Sequence, residues 1–168
     1  MARSRSFSVL LPATPFPAEP PGMDEVRRRR AGLQAAMGRL EAALAAPGAA
    51  HDGWSTRVGV ALAGLRETWS HHVAHTEAPG AFLDEITTEA PRLSGPVAGM
   101  RREHAEVSGA IERLARRVGV GPDSESEKSW IDAVRADATA LLGDLARHRQ
   151  RGADLVYQAF DVDLGGDA

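Results

Sequence analysis

The chain has 168 residues, 43% hydrophobic and 26% charged, with a net charge of −3 and only 8 aromatic residues (Phe 4, Trp 3, Tyr 1). That is enough chain for one soluble domain with its own core, and a composition led by Ala, Leu, Arg and Glu favours helix over strand. The absence of Cys excludes disulfides, iron–sulfur clusters, thiolate zinc sites and a cysteine nucleophile. The slight negative charge offers no general attraction to nucleic acid or an anionic membrane, and no apolar run approaches the roughly 20 residues of a membrane span.

Residues 1–22 are rich in Pro and Ser and end in Pro20-Pro21-Gly22, which predicts an extended N-terminal arm able to lie on the domain through Phe7, Val9, Leu10 and Phe16. Pro12, Pro15 and Pro17 break the apolar stretch that a signal peptide would need, so a cytoplasmic location is expected. A first helix follows, with Val26, Arg30, Leu33, Met37, Leu40 and Leu44 on one stripe, Asp24 as its cap and Pro47-Gly48 as its stop. The second stripe runs Trp54, Val58, Leu62, Leu65, Trp69, His72. Its register carries through Pro79 to Leu83 and Ile86, which predicts a helix kinked at Pro79-Gly80.

Gly95-Pro96 opens a third segment: Leu93, Val97, Met100, His104, Val107, Ile111, Leu114 and Val118 alternate four and three apart, closed by the loop at 119–123. The fourth reads Trp130, Val134, Ala138, Leu141, Leu145, His148, Gly152, Leu155 and Ala159, with Ser124 and Glu127 spaced as a capping box. Four such segments joined by short Gly/Pro loops predict an all-α, up-down-up-down four-helix bundle over residues 23–160, followed by a flexible tail at 161–168. Three long coiled-coil helices, with the first segment serving a homodimer, are the alternative.

Six histidines are present, and three of them take core-stripe positions where the pattern asks for Leu or Val: His72, His104 and His148, one on each of the last three helices. With helices alternating in direction and rising 1.5 Å per residue, the three fall within one or two turns of a common layer. Neutral imidazoles facing one another in a core are ligands for zinc, iron, manganese or copper, and three protein ligands with an open position is the usual form of a reactive site. The competing reading gives each His a backbone carbonyl or carboxylate partner inside a metal-free core. His71 points away from the stripe and His51 lies in a loop. His75 flanks the stripe and is a candidate fourth ligand. Of the nearby carboxylates, Glu77 is the best placed, ahead of Glu103, Asp154 and Asp137.

The stretch His71-His-Val-Ala-His-Thr-Glu-Ala-Pro-Gly-Ala-Phe-Leu-Asp-Glu-Ile86, then Arg102-Glu-His-Ala-Glu-Val107 and Arg147-His-Arg-Gln-Arg-Gly-Ala-Asp-Leu-Val156, resembles the hemerythrin-like (HHE cation-binding) domains across about residues 25 to 160. The resemblance implies a bundle holding a non-haem metal centre, commonly di-iron, with roles in oxygen binding or sensing. It assigns His72 and Glu77 to the second helix, His104 to the third, and His148 with Asp154 to the fourth. The chain departs from the family pattern in three places: no His on the first helix, five rather than four residues between His72 and Glu77, and Ser108 where a second His of the third helix often stands.

These departures disfavour dioxygen carriage. They leave a mononuclear iron, zinc or manganese site, or a metal-free bundle that serves as a structural or partner-binding protein. In the latter, Arg30 would pair with Glu77 or Glu103 in place of metal. DinB-like metal-dependent enzymes offer a fainter likeness around His148, with Gly152 where their second His stands. Arg27-Arg-Arg-Arg30 spreads over every helix face and reads as a solvated helix start. No phosphate-binding Gly loop or nucleophile elbow is present. The partner expected is thus a metal ion, with neither nucleic acid nor membrane.

Overall fold

Polar residues recur between the apolar stripes at helical spacing throughout, and the described residues of the computed structural model, 23–47, 51–123 and 126–160, are helical almost throughout. Four long helices, α1 (Met23–Ala45), α2 (His51–Glu77), α4 (Ser94–Val120) and α5 (Glu127–Phe160), are joined by a short helix α3 (Phe82–Glu89) and a 3₁₀ turn at Pro91–Leu93. No strand occurs among the described residues. The predicted N-terminal arm and C-terminal tail lie outside them.

α1 packs on α2, α2 on α4 and α4 on α5. The starts of α2 and α5 meet where Trp54 and Trp130 pack edge to face at 5.7 Å. Arg135 near the start of α5 donates to the carbonyls of Leu44 and Ala46 at the end of α1, which ties these two helices together. All eight stripe residues of the third segment are buried, as are Trp54, Val58, Leu62, Leu65 and Trp69 of the second.

The buried side chains form two separate apolar clusters. The larger contains Trp69, Val107 and Leu145 at its upper limit. The smaller holds Leu83, Ile86, Val97, Met100 and Leu155. Along α4 the change from one cluster to the other falls between Met100 and Val107, and along α5 between Leu145 and Leu155. The residues in those gaps, with His72 above Trp69 on α2, are the three stripe histidines.

Several local expectations need correction. α2 does not kink and continue at Pro79 but stops at Glu77, and α3 is a separate helix. Pro79 has no N–H to extend the ladder, and Gly80 turns into the left-handed region at φ +72, which other residues rarely adopt. The Gly80 N–H is then taken by the Asp84 carboxylate at 2.9 Å, an oxygen pair that also receives Arg101 at 2.6 Å. The gap leaves the register intact, so Leu83 and Ile86 are buried as the stripe predicts.

At the start of α5 the Ser126 hydroxyl accepts the N–H of Ser129 at 3.2 Å, a cap two residues later than the predicted Ser124, which lies outside the described residues. α1 begins at Met23, one residue before its predicted cap Asp24, and His51 opens α2 rather than lying in a loop. Arg30 is exposed, not a buried cation of the first stripe, so the pairing expected of it with Glu77 or Glu103 is not made. No helix of the described residues is long and apolar enough to cross a membrane.

Candidate metal centre

The apolar stripes of α2, α4 and α5 are each interrupted, at a common layer, by an imidazole. His104 and His148 are each 3% exposed, while His72 is half-buried. Their ring centroids stand 5.3 Å (His72–His104), 5.3 Å (His72–His148) and 4.8 Å (His104–His148) apart. One ring nitrogen from each lies within 4.8 Å of the other two, a grouping that could hold a metal ion. Nε2 of His72 and Nε2 of His148 are already 3.1 Å apart.

Two glutamates fix the two buried rings. Glu77 at the end of α2 places Oε1 2.5 Å from Nδ1 of His104, and Glu103 on α4 places Oε2 3.2 Å from Nδ1 of His148. The other oxygen of Glu103 is held by Arg151 Nε at 2.6 Å. An imidazole that donates Nδ1–H to a carboxylate carries its lone pair on Nε2, so both rings present Nε2 as an acceptor or ligand atom. Burial first, and the adjoining His104 ring second, push His148 down to about 4, against the opposing pull of Glu103. His148 is therefore neutral at pH 7, the form that binds metal.

Nε2 of His104 is buried and has no hydrogen-bond partner. A buried polar atom left in this way costs about 1–3 kcal/mol. In a core whose other buried polar side chain, His148, is bonded at both ring nitrogens, it is the one ligand-ready atom of the cluster that lacks a partner. Tetrahedral bonds of about 2.0–2.1 Å place ligand nitrogens about 3.3 Å apart, so the three rings need to draw in by no more than about 1.5 Å to share an ion.

Trp69 forms the floor of the cluster. Its ring lies against His72 at 5.1 Å, stacked, and meets His104 and His148 edge-on at 5.5 and 5.0 Å. The indole N–H donates to the Ser108 hydroxyl at 3.0 Å, and that hydroxyl donates to the His104 carbonyl one turn earlier at 2.7 Å. Ser108 thus locks the wall behind the triad. Opposite Trp69, Met100 and Gly152 stand one turn above His104 and His148, with the Met100 methyl 4.0 Å from where a Gly152 Cβ would be.

Of the residues expected from sequence to bind metal, the fold gathers His72, His104 and His148 into one group. Glu77 reaches the group, but on the far nitrogen of His104. His75 is exposed and outside the group, because it turns toward the open side of α2. Asp154 is exposed as well and accepts a bond from Gln150 at 2.9 Å; six residues beyond His148, it leaves the helix on the opposite flank. Asp137 pairs with Arg117 at 2.5 Å on the surface.

Sequence reasoning did not assign Glu103 to His148 or Trp69 to the floor. Both were within reach: Glu103 sits one residue round α4 from His104, toward α5, where Arg151 follows His148 by three. No protein-family model, curated protein or solved structure matches this chain.

Proposed function

We propose that this chain is a metal-binding, up-down-up-down helical bundle of hemerythrin-like type. In this reading Nε2 of His72, His104 and His148 hold one non-haem transition ion (iron, zinc or manganese), with a sensing or stress-related role. The observation that carries it is the convergence of three imidazoles from three helices, with His104 Nε2 buried and unpartnered between them. Glu77 and Glu103 act on the ligands rather than on the ion: each holds a ring by Nδ1 and raises the basicity of Nε2.

A single ion fits the donor set better than a di-iron pair. Among the described residues only one group of three donors forms, and both nearby carboxylates are already engaged. Three neutral nitrogens leave a fourth position open, where the ion would polarise a bound water or small ligand. In the metal-free chain His72 Nε2–H donates to His148 Nε2, so loading requires that proton to leave His72 Nε2, and the half-exposed ring gives it a way to solvent.

The same 3.1 Å contact favours a second reading, in which two of the three histidines satisfy each other and the bundle is a metal-free structural or partner-binding protein. A DinB-like enzyme is a weaker third. Titration of chelator-stripped protein with zinc, followed by calorimetry, separates the readings. Metal binding predicts one tight equivalent per chain that disappears in His104→Ala and weakens about 10–100-fold in Glu103→Gln, which loosens His148 without touching the ion. Tight binding that survives His104→Ala contradicts it.

A further inference from the structure

The outer face of α2 carries a second pair of imidazoles. His71 and His75 are four residues apart, so they stand one above the other on the same helix face, and both are exposed. They line an open groove of about 610 Å³ together with Glu67, Thr68, His72 and, across from them on α1, Gly32. Gly32 has no atom within 4 Å of the place its Cβ would take, so α1 stands off and the groove is accessible along its length. Arg30 and Ala31 at this end of α1 are exposed.

We infer that His71 and His75 form a second, outer site for a divalent transition ion, which collects the ion and passes it to the triad through His72. Two His nitrogens one turn apart on a helix are a recurrent chelating pair for zinc and its neighbours, with waters filling the remaining positions. Glu67, one turn before His71 on the same face and in the same groove, adds a carboxylate that attracts the cation. Two protein nitrogens bind less tightly than three, so the outer ion is the exchangeable one.

His72 links the sites. It follows His71 in sequence, belongs to the groove, and is the half-exposed member of the inner triad. An ion on the outer pair reaches the triad by exchange of ligands alone: a nitrogen of His72 replaces a water or an outer imidazole, and the buried nitrogens of His148 and His104 follow. No electron moves, and the proton displaced from His72 goes to the groove's water. This rests on the triad reading for its destination, though not for the outer site itself.

The test uses the full-length, untagged, chelator-stripped protein and zinc alone. Wild type should bind two equivalents, one tight and one weak; His71→Ala/His75→Ala should keep the tight equivalent and lose the weak one. Because both residues are exposed, the variant folds. Zinc supplied from a weak chromophoric chelator should reach the triad about tenfold more slowly in the double variant, reflecting the lost local concentration of ion. Wild type that binds only the tight equivalent, or a weak equivalent that persists in the variant, overturns the outer site. Equal loading rates overturn the hand-over. Absence of the tight equivalent from both proteins, with the weak one still dependent on His71 and His75, sinks the triad reading and the hand-over but supports the outer site.

Discussion

Zinc added to chelator-stripped protein, at about a hundredfold over its dissociation constant, is expected to raise the unfolding midpoint by roughly 5–10 °C. An ion bound only by the folded chain stabilises it by about 2.7 kcal/mol at that excess, and for a protein of this size each kcal/mol moves the midpoint by about 2–4 °C. The affinity behind this gain has a structural cause. The triad lies between two apolar clusters that are not continuous with each other. An ion bound to α2, α4 and α5 at that layer would bridge them. It also gives His104 Nε2 a partner that the metal-free fold does not supply. A thermal scan with and without zinc checks this; His104→Ala should show no zinc-dependent gain.

The metal-free protein is expected to lose stability as pH falls from about 6.5 to about 4. His148 is held at about 4 in the folded chain, against an ordinary value of 6.5. The unfolded chain therefore binds this proton first, and stability supplied by keeping His148 neutral is complete above 6.5 and gone below about 4. A depression of that size is worth about 3 kcal/mol over the window, a large part of a domain's total stability. Urea unfolding at pH 7, 5.5 and 4 measures it, and His148→Leu should flatten this component of the profile. Above pH 7 the group contributes no further slope. Bound zinc should steepen the fall, because protons and metal compete for the same nitrogens.

How far the sequence reveals this arrangement depends on which physical rule governs each residue. Helical periodicity is local, so the stripes of α4 and α5 could be read directly, and a His replacing Leu or Val on a buried stripe pointed inward at once. Rise per residue places the three on a common layer, and the rings stand 4.8–5.3 Å apart. Arg30 and His75 are exposed for a shared reason. Periodicity places both near a stripe, but whether a stripe is covered depends on how far the neighbouring helix stays in contact. The buried residues of α1 begin at Leu33, while Arg30 before it, and His71 and His75 on α2, are exposed.

Pro79 illustrates the opposite limit. The register of Leu83 and Ile86 survives the break, so hydrophobic spacing alone could not distinguish a kinked helix from two helices; the positive φ of Gly80 decides it. Spacing marks Glu77 as a candidate ligand, whereas in the fold its carboxylate holds His104. A carboxylate five residues beyond His72 reaches across to α4 instead of following His72 inward, and meets His104 on the nitrogen away from the cluster. Side-chain pairing between helices of this kind is a property of the packed bundle, not of any one helix.

The claim that three imidazoles from α2, α4 and α5 bind one ion is tested most directly by elemental analysis of the untagged protein purified without chelator from metal-supplemented cells. The account predicts about one transition-metal ion per chain in the tight site of wild type after dialysis and less than about a tenth in His104→Ala, as expected for a closed set of three nitrogens that loses one. Wild-type protein that emerges folded and free of zinc, iron and manganese would contradict it.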